Sequence, residues 1–303
     1  MDSSSVVIDE GVIDRAIRGD KEAFSIIVRG SSPRVLLVAE RILRSPEEAI
    51  PAVYSLFVTA FSSLKKLKSK GFLETWLLQI LIGVCGDKLK DKGGRILAGS
   101  LPDVRGLEHQ DGGVAAAAAV DSEVSVPGYL ARINARSTRV KQAVDRLPFK
   151  ERAAVTFRDW DGVCTIEIAE ILRTNRENAR KLLVSARRTL AGILEASEGW
   201  RACSDRPFTG AAETSEGRES RTTRKSDKKC GKNSDRLWLF VGGELGPVEQ
   251  KDIVRHLNDC PVCQERLGRA SIVLEAIRQA APVDEPSIAP EKLWKEVETL
   301  LAG

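Results

Sequence analysis

The chain has 303 residues, 42% of them hydrophobic and 30% charged, which is enough for two or three small domains with separate cores. No apolar run reaches the roughly 18 residues of a membrane span, and the start MDSSSVVIDE lacks a signal peptide's basic flank and apolar core, so a cytoplasmic protein without a membrane partner is expected. Aromatics make up 5% and alternating β-branched runs are absent, so the composition predicts an all-α fold. The net charge of +4 is too small to mark the whole chain as a polyanion binder, and basicity must be judged locally. Six cysteines in a reducing compartment point to metal or thiol chemistry rather than a disulfide framework.

In chain order, Ala16–Phe24 opens a helical segment and Pro33–Leu43 continues it with Val35, Leu36, Ala39, Ile42 and Leu43 on one face. Ser45, Pro46 and Glu48 form a helix-start signature, with Ser45 and Glu48 set to cap free amides from both sides. The apolar stripe Ala49, Val53, Leu56, Phe57, Ala60, Phe61, Leu64 follows. Pro51 lies inside this helix and predicts a kink or a late start. After the basic stretch Lys65, Lys66, Lys68, Lys70, the helix Phe72–Lys92 is apolar at Leu73, Trp76, Leu77, Ile80, Leu81 and Val84 and ends basic at Lys88, Lys90 and Lys92. Residues 10–92 therefore read as a compact helical domain with a positive rim, a pattern that a bundle with a solvated edge also satisfies.

Residues 93–137, with Gly93–Gly94, Gly112–Gly113, a five-alanine run and Pro127–Gly128, read as a flexible tether in which His109 is an idle solvated residue. Residues 138–196 carry a helix-turn-helix pattern: a short apolar helix at Ile166–Leu172, a polar break at Arg173, Thr174 and Asn175, and a second helix with Ala179, Leu182, Leu183, Ala186 and Leu190 at helical spacing. That second helix is basic. Asn175, Arg176, Asn178 and Arg180 stand at the end that leads into a major groove, with Lys181, Arg187 and Arg188 behind for the phosphate backbone; the bland reading is a solvated basic face.

Residues 197–233 are rich in Ser, Thr, Gly, Lys and Arg and read as a flexible basic linker. Within 230–282, Cys230, His256, Cys260 and Cys263 are spaced C-x25-H-x3-C-x2-C. On a helix His256 and Cys260 share a face, the CPVC turn brings a second thiolate beside the first, and Cys230 closes a tetrahedral Cys3His site; three thiolates and an imidazole favour Zn2+ over hard metals. Cys85, Cys164 and Cys203 have no such company, and the first two read as packing residues. Leu267, Ala270, Leu274 and Ile277 give an apolar seam, and the tail 283–303 holds a short amphipathic helix with Leu293, Trp294, Val297, Leu300 and Leu301.

Several of these stretches resemble the extracytoplasmic-function (ECF) sigma factors. GDKEAF, RILRSPEEA, the run Leu56–Phe61 and TWLLQI with Asp87 and the lysines beyond it are similar to region 2; LP-x-x-x-R at Leu147–Arg152, EIAEIL at Glu167–Leu172 and S-A-R-R-x-L at Ser185–Leu190 are similar to region 4. The resemblance implies binding to core RNA polymerase through the helix bearing Leu56 and Phe57. It also implies capture of single-stranded promoter DNA near Trp76, Lys88 and Lys90, and duplex reading by region 4; by their own chemistry Leu56, Phe57 and Trp76 serve equally well as core. Pro51 and Tyr54 stand where the family usually has an acid and a glutamine, and Ile82 and Gly83 where it often has Arg and Asn. LWLFVGGELGPVEQKDIVRHLNDCPVCQERL resembles the zinc-binding anti-sigma domain, with the four ligand positions matched. The combined expectation is a promoter-specificity factor, not an enzyme, whose zinc domain contacts the sigma modules and regulates them in cis. The alternatives are a sigma-like interaction protein that no longer initiates transcription, and a transcription regulator sensing thiol oxidation or metal.

Overall fold

A computed structural model of the chain describes residues 8–67, 69–91, 126–197, 223–282 and 286–302. Most of the 93–137 tether, with His109, and most of the 197–233 linker, with Cys203, lie outside the described residues, as do Lys68 and Lys92. Among the described residues every regular element is helical. The chain divides into two compact units, one of residues 1–96, 148–183 and 282–303, the other of residues 97–147 and 184–281.

The first unit begins with α1 (Glu10–Ile17), α2 (Lys21–Leu43), α3 (Pro46–Ser63) and α4 (Leu73–Asp91). Asp9 caps α1 by accepting from the Val12 amide at 2.7 Å, and Asp20 caps α2 by accepting from the Glu22 and Ala23 amides. Between them the chain turns at Gly19, whose φ of +94° suits a residue without a Cβ. The α2 helix runs unbroken through Pro33. That proline cannot donate to the Arg29 carbonyl four residues back, but the Ser32 hydroxyl donates to the same carbonyl at 3.4 Å, and Ser31 donates to the Ile27 carbonyl at 2.7 Å. The α2 helix ends at Arg44, which takes a left-handed φ of 62°.

Ser45 accepts from the Glu48 amide at 3.3 Å and starts α3 at Pro46. The late start expected from Pro51 does not occur, because the cap and Pro46 set the first turn and Pro51 occupies an exposed position where it removes a single donor. The rest of this unit is α6 (Phe149–Val155), a π-helical segment at Thr156–Trp160, α7 (Thr165–Ile171), the beginning of α8 (Arg176–Ala196), and the tail helix α12 (Pro290–Leu300). Phe24, Ile27, Leu36, Ile42, Leu56, Phe57, Leu81, Phe157 and Ile168 form one continuous core. The α12 helix lies on α2 and α3 with Leu293, Trp294 and Val297 buried and Trp294 edge-on to Phe24 at 6.3 Å, whereas Leu300 faces solvent.

The second unit holds α5 (Val126–Asp145), the remainder of α8, α9 (Thr223–Gly242), α10 (Pro247–Asp259) and α11 (Pro261–Gln279). Thus α5 takes up the end of the stretch read as a tether, and α9 takes up the end of the basic linker. Helix α11 packs on both α9 and α5, with Val273, Leu274 and Ile277 buried, while α10 packs on α9 and α11.

Candidate nucleic-acid interface and metal centre

The helix-turn-helix is built from α7 and α8. Ile168, Ala169, Ile171 and Leu172 on α7 are buried, as are Ala179 and Leu183 on α8. The break depends on backbone geometry. Arg173 adopts φ 50°, Thr174 donates its amide to the Ala169 carbonyl at 2.8 Å, and the Asn175 side-chain oxygen accepts from the Asn178 amide at 2.7 Å, capping α8. Asn175 therefore spends its acceptor on the helix start instead of keeping it for a base edge. The leading end of α8 is wet: Arg173, Asn175, Arg176, Asn178 and Lys181 are exposed and Arg180 is half-buried. Lys181 pairs with Glu177 at 2.8 Å across one helical turn, and this hydrogen-bonded lysine holds the Glu177 carboxyl below its ordinary range.

The trailing end differs. Arg187, expected at the phosphate backbone, has no exposed side-chain surface, because its position falls on the same helical stripe as Leu183, Leu190 and Leu194. Its guanidinium makes a two-pronged bond to Glu244, at 3.0 and 2.9 Å, and donates to the Trp238 carbonyl at 3.3 Å. In this structure Arg187 does not meet solvent, so phosphate cannot reach it. Glu244 follows α9 in the turn Gly242–Gly243–Glu244–Leu245, where Gly243 has φ +73°. A Cβ at Gly242 would collide with the Glu244 carboxylate and the Arg187 guanidinium, so the turn needs glycine there for close approach. Arg188 is 46% exposed and donates to Asp235 at 2.7 Å and to Ser234 at 2.6 Å. Glu244 was not among the residues singled out from the sequence. Its signal is present there nonetheless, as a single acid between Gly-Gly and Leu after an apolar helix end, matched by an arginine on an apolar stripe.

The region 2 candidates fall mostly inside. Leu56 and Phe57 have no exposed surface, and Phe57 packs edge-on to Phe24 at 6.4 Å, so both are core and neither offers a face to polymerase. The exposed stripe of α3 is instead Glu47, Pro51, Ser55, Thr59 and Ser62, spaced three to four residues apart. Trp76 is half-buried against the core of this unit. Lys88 is half-buried, and Lys90 is exposed and pairs with Asp87 at 3.0 Å.

Cys230 on α9, His256 on α10, and Cys260 and Cys263 at the start of α11 converge so that their ligand atoms all lie within 4.8 Å of one another. The Cys230 and Cys260 sulfurs are 3.5 Å apart, and His256 Nε2 is 3.2 Å from the Cys263 sulfur. These separations suit a tetrahedral Zn2+ site, whose bonds of about 2.0–2.3 Å place ligand atoms roughly 3.3–3.8 Å apart. Burial, with Cys230 and Cys260 alongside, pushes the Cys263 thiol up to about 12. Burial also raises Cys230, whereas at Cys260 the backbone amides of Cys263 and Val262 and the neighbouring thiols overcome burial and lower it. Three crowded thiols with opposed tendencies are a donor set that a divalent cation would let ionise together. Of the remaining cysteines, Cys85 is buried and burial pushes its thiol up to about 12. Cys164 does not pack: it is exposed at the start of α7, where its amide donates to Glu167 at 3.3 Å.

Residues 137–190 match the family Sigma-70, region 4. The matched stretch runs from the later part of α5 through α6 and α7 into the leading two thirds of α8. Over 187 residues the chain is 22% identical to the RNA polymerase sigma-H factor of Pseudomonas aeruginosa. Over 188 residues it is 24% identical to the ECF RNA polymerase sigma-E factors of Escherichia coli and Salmonella typhimurium. Each of these matches spans 62% of this chain and 94% of the relative. The relatives are thus covered almost end to end, while more than a third of this chain is additional to them. Among the described residues no helix is long and apolar enough to cross a membrane.

Proposed function

We propose that the protein is an ECF-type sigma factor that directs promoter-specific initiation by core RNA polymerase, and that its C-terminal Cys3His module restrains it in cis. It performs no catalysis of its own; polymerase supplies the chemistry. Region 4 reads duplex promoter DNA through Arg176, Asn178, Arg180 and Lys181 at the leading end of α8, with the Asn175 amide group beside them. Trp76, Lys88 and Lys90 on α4 serve the melted strand, and polymerase meets the polar outer stripe of α3 instead of Leu56 and Phe57.

The observation that carries the regulatory half is the buried Arg187–Glu244 pair. An acid from the C-terminal module holds a cation of the region 4 helix, and Asp235 does the same at Arg188. Bound Zn2+ would be a structural ion held by Cys230, His256, Cys260 and Cys263, fixing α9 against α10 and α11 so that Glu244 is presented at the right place. The residues themselves do the restraining: Glu244 occupies the fork that would otherwise take a phosphate oxygen.

Run-off transcription with core polymerase, comparing the full chain, residues 1–196 and Glu244→Gln, is the test. Initiation by residues 1–196, with less from the full chain and an intermediate level from Glu244→Gln, is expected. Absence of initiation from all three would overturn the sigma-factor reading, and equal initiation would overturn the restraint.

A further inference from the structure

Arg41, near the end of α2, joins three stretches far apart in sequence and all within the first unit. It donates to Asp161 Oδ1 at 2.7 Å, in the turn that closes the π-helical segment. Its guanidinium carbon lies 5.7 Å from the centre of the Trp160 ring. It also donates to the Pro282 carbonyl at 3.1 Å, three residues past the end of α11 at Gln279 and eight before the first residue of α12. Its side chain is 12% exposed and that of Asp161 15%, so the pair is largely dehydrated but reachable by water. Only a planar guanidinium, with a fork for a carboxylate, further donors for a carbonyl and a face for an indole, serves three such partners together; an ammonium does not.

The node lies where region 4 meets the first helices. The α7 helix packs on α4, which carries Trp76, Lys88 and Lys90, and α6 and the π-helical segment pack on α2. The approach is close, since a Cβ at Gly86 of α4 would lie 3.6 Å from the Phe149 ring of α6. Much of the packing there is apolar, and apolar contacts are non-directional. Arg41 supplies a directional contact, and through Pro282 it ties the same seam to the start of the tail whose α12 covers α2 and α3.

We propose that Arg41 is a three-way latch that holds the front of region 4 on α2 and α4 together with the tail, so that release of the tail and separation of the two DNA-reading regions are coupled. The consequence for transcription rests on the function proposed above, because only a two-element promoter reader has to separate them. The latch itself is tested without DNA.

Pulsed dipolar spectroscopy on the full chain, with genetically encoded spin labels, reads two distances: Thr59 to Glu170 for the region 4 seam, and Thr59 to Glu298 for the tail. All three positions are exposed. Arg41→Ala and Arg41→Lys are expected to raise the long-distance fraction of both pairs roughly tenfold, about the size of one coupled polar contact. The exchange Arg41→Asp with Asp161→Arg is expected to restore the Thr59–Glu170 distance alone, because aspartate cannot donate to the Pro282 carbonyl. Unchanged distances in Arg41→Lys with unchanged helicity would overturn the latch, as would opening of one pair without the other in either single variant. Arg41→Lys keeps the charge paired and decides the matter if Arg41→Ala does not fold. Opening in a protein that never initiates transcription would sink the proposed function and leave the latch standing.

Discussion

The two ends of α8 carry the same kind of residue in opposite circumstances. At the leading end Glu177 and Lys181 are 75% and 70% exposed and bridge one helical turn; at the trailing end Arg187 and Glu244 are fully buried and come from stretches 57 residues apart. The first pair is a screened surface contact of little worth to the fold, the second a dehydrated pair whose breakage strands a charge. One helix is therefore available to a phosphate partner at its front and engaged by the C-terminal module at its rear.

The largest expected effect comes from removing the scaffold that presents Glu244. Cys263→Ser should abolish retention of stoichiometric zinc and unfold α9 to α11, since a structural zinc site contributes on the order of 10 kcal/mol to a domain this small. Metal analysis and circular dichroism report both losses, and the duplex binding proposed for the front of α8 is expected to persist. Retention of metal and helicity would show that the four side chains do not form the site.

Next in size is the pair itself. Glu244→Ala should cost about 3–5 kcal/mol in denaturant unfolding, because it leaves the Arg187 guanidinium buried without a counter-charge. Gly242→Ala should follow it in direction, as the new Cβ displaces the carboxylate. Replacing both partners, as Arg187→Met with Glu244→Leu, should recover most of the loss, and a double variant as unstable as Glu244→Ala would mean that the loss does not arise from a stranded charge.

The front of α8 should respond in binding and hardly at all in stability. Arg176→Ala is expected to weaken specific duplex binding by about 1–3 kcal/mol and relax base preference, whereas Arg188→Ala should lower affinity uniformly and flatten the salt dependence. A titration of labelled promoter duplex at two salt concentrations separates them; interchange of the two patterns would reverse the assignment of front and rear.

The smallest effect concerns acid. The Glu177 carboxyl is held low by Lys181, so its contribution is present above the ordinary carboxylate range and fades as pH falls through its lowered value. Asp161 runs the other way: burial raises its carboxyl despite Arg41, so the folded chain holds that proton more readily and this group favours folding increasingly as pH drops. Asp161→Asn should therefore steepen the acid limb of a melting-temperature profile, and Glu177→Gln should change it little because that side chain is 75% exposed.

Local sequence determined the helices and their ends. Asp9, Asp20 and Ser45 cap helices through contacts within three residues, and the break at Arg173–Asn175 follows from backbone bonds inside one turn. The Cys3His set was equally legible, because ligand chemistry restricts both residue type and spacing. Pro51 reads as an interruption because no local pattern shows that its position faces solvent, where it removes a single donor. Tertiary structure alone decided which apolar and basic residues are accessible. Leu56 and Phe57 sit on a stripe that serves a core or a partner equally well until Phe24 closes over it. Arg187 carries the same charge as Arg176, and the periodicity that sets it beside Leu183 and Leu190 becomes a burial only when Glu244 arrives from a distant turn. Periodicity fixes which face of a helix a residue occupies, but what covers that face depends on long-range packing, which no local pattern encodes.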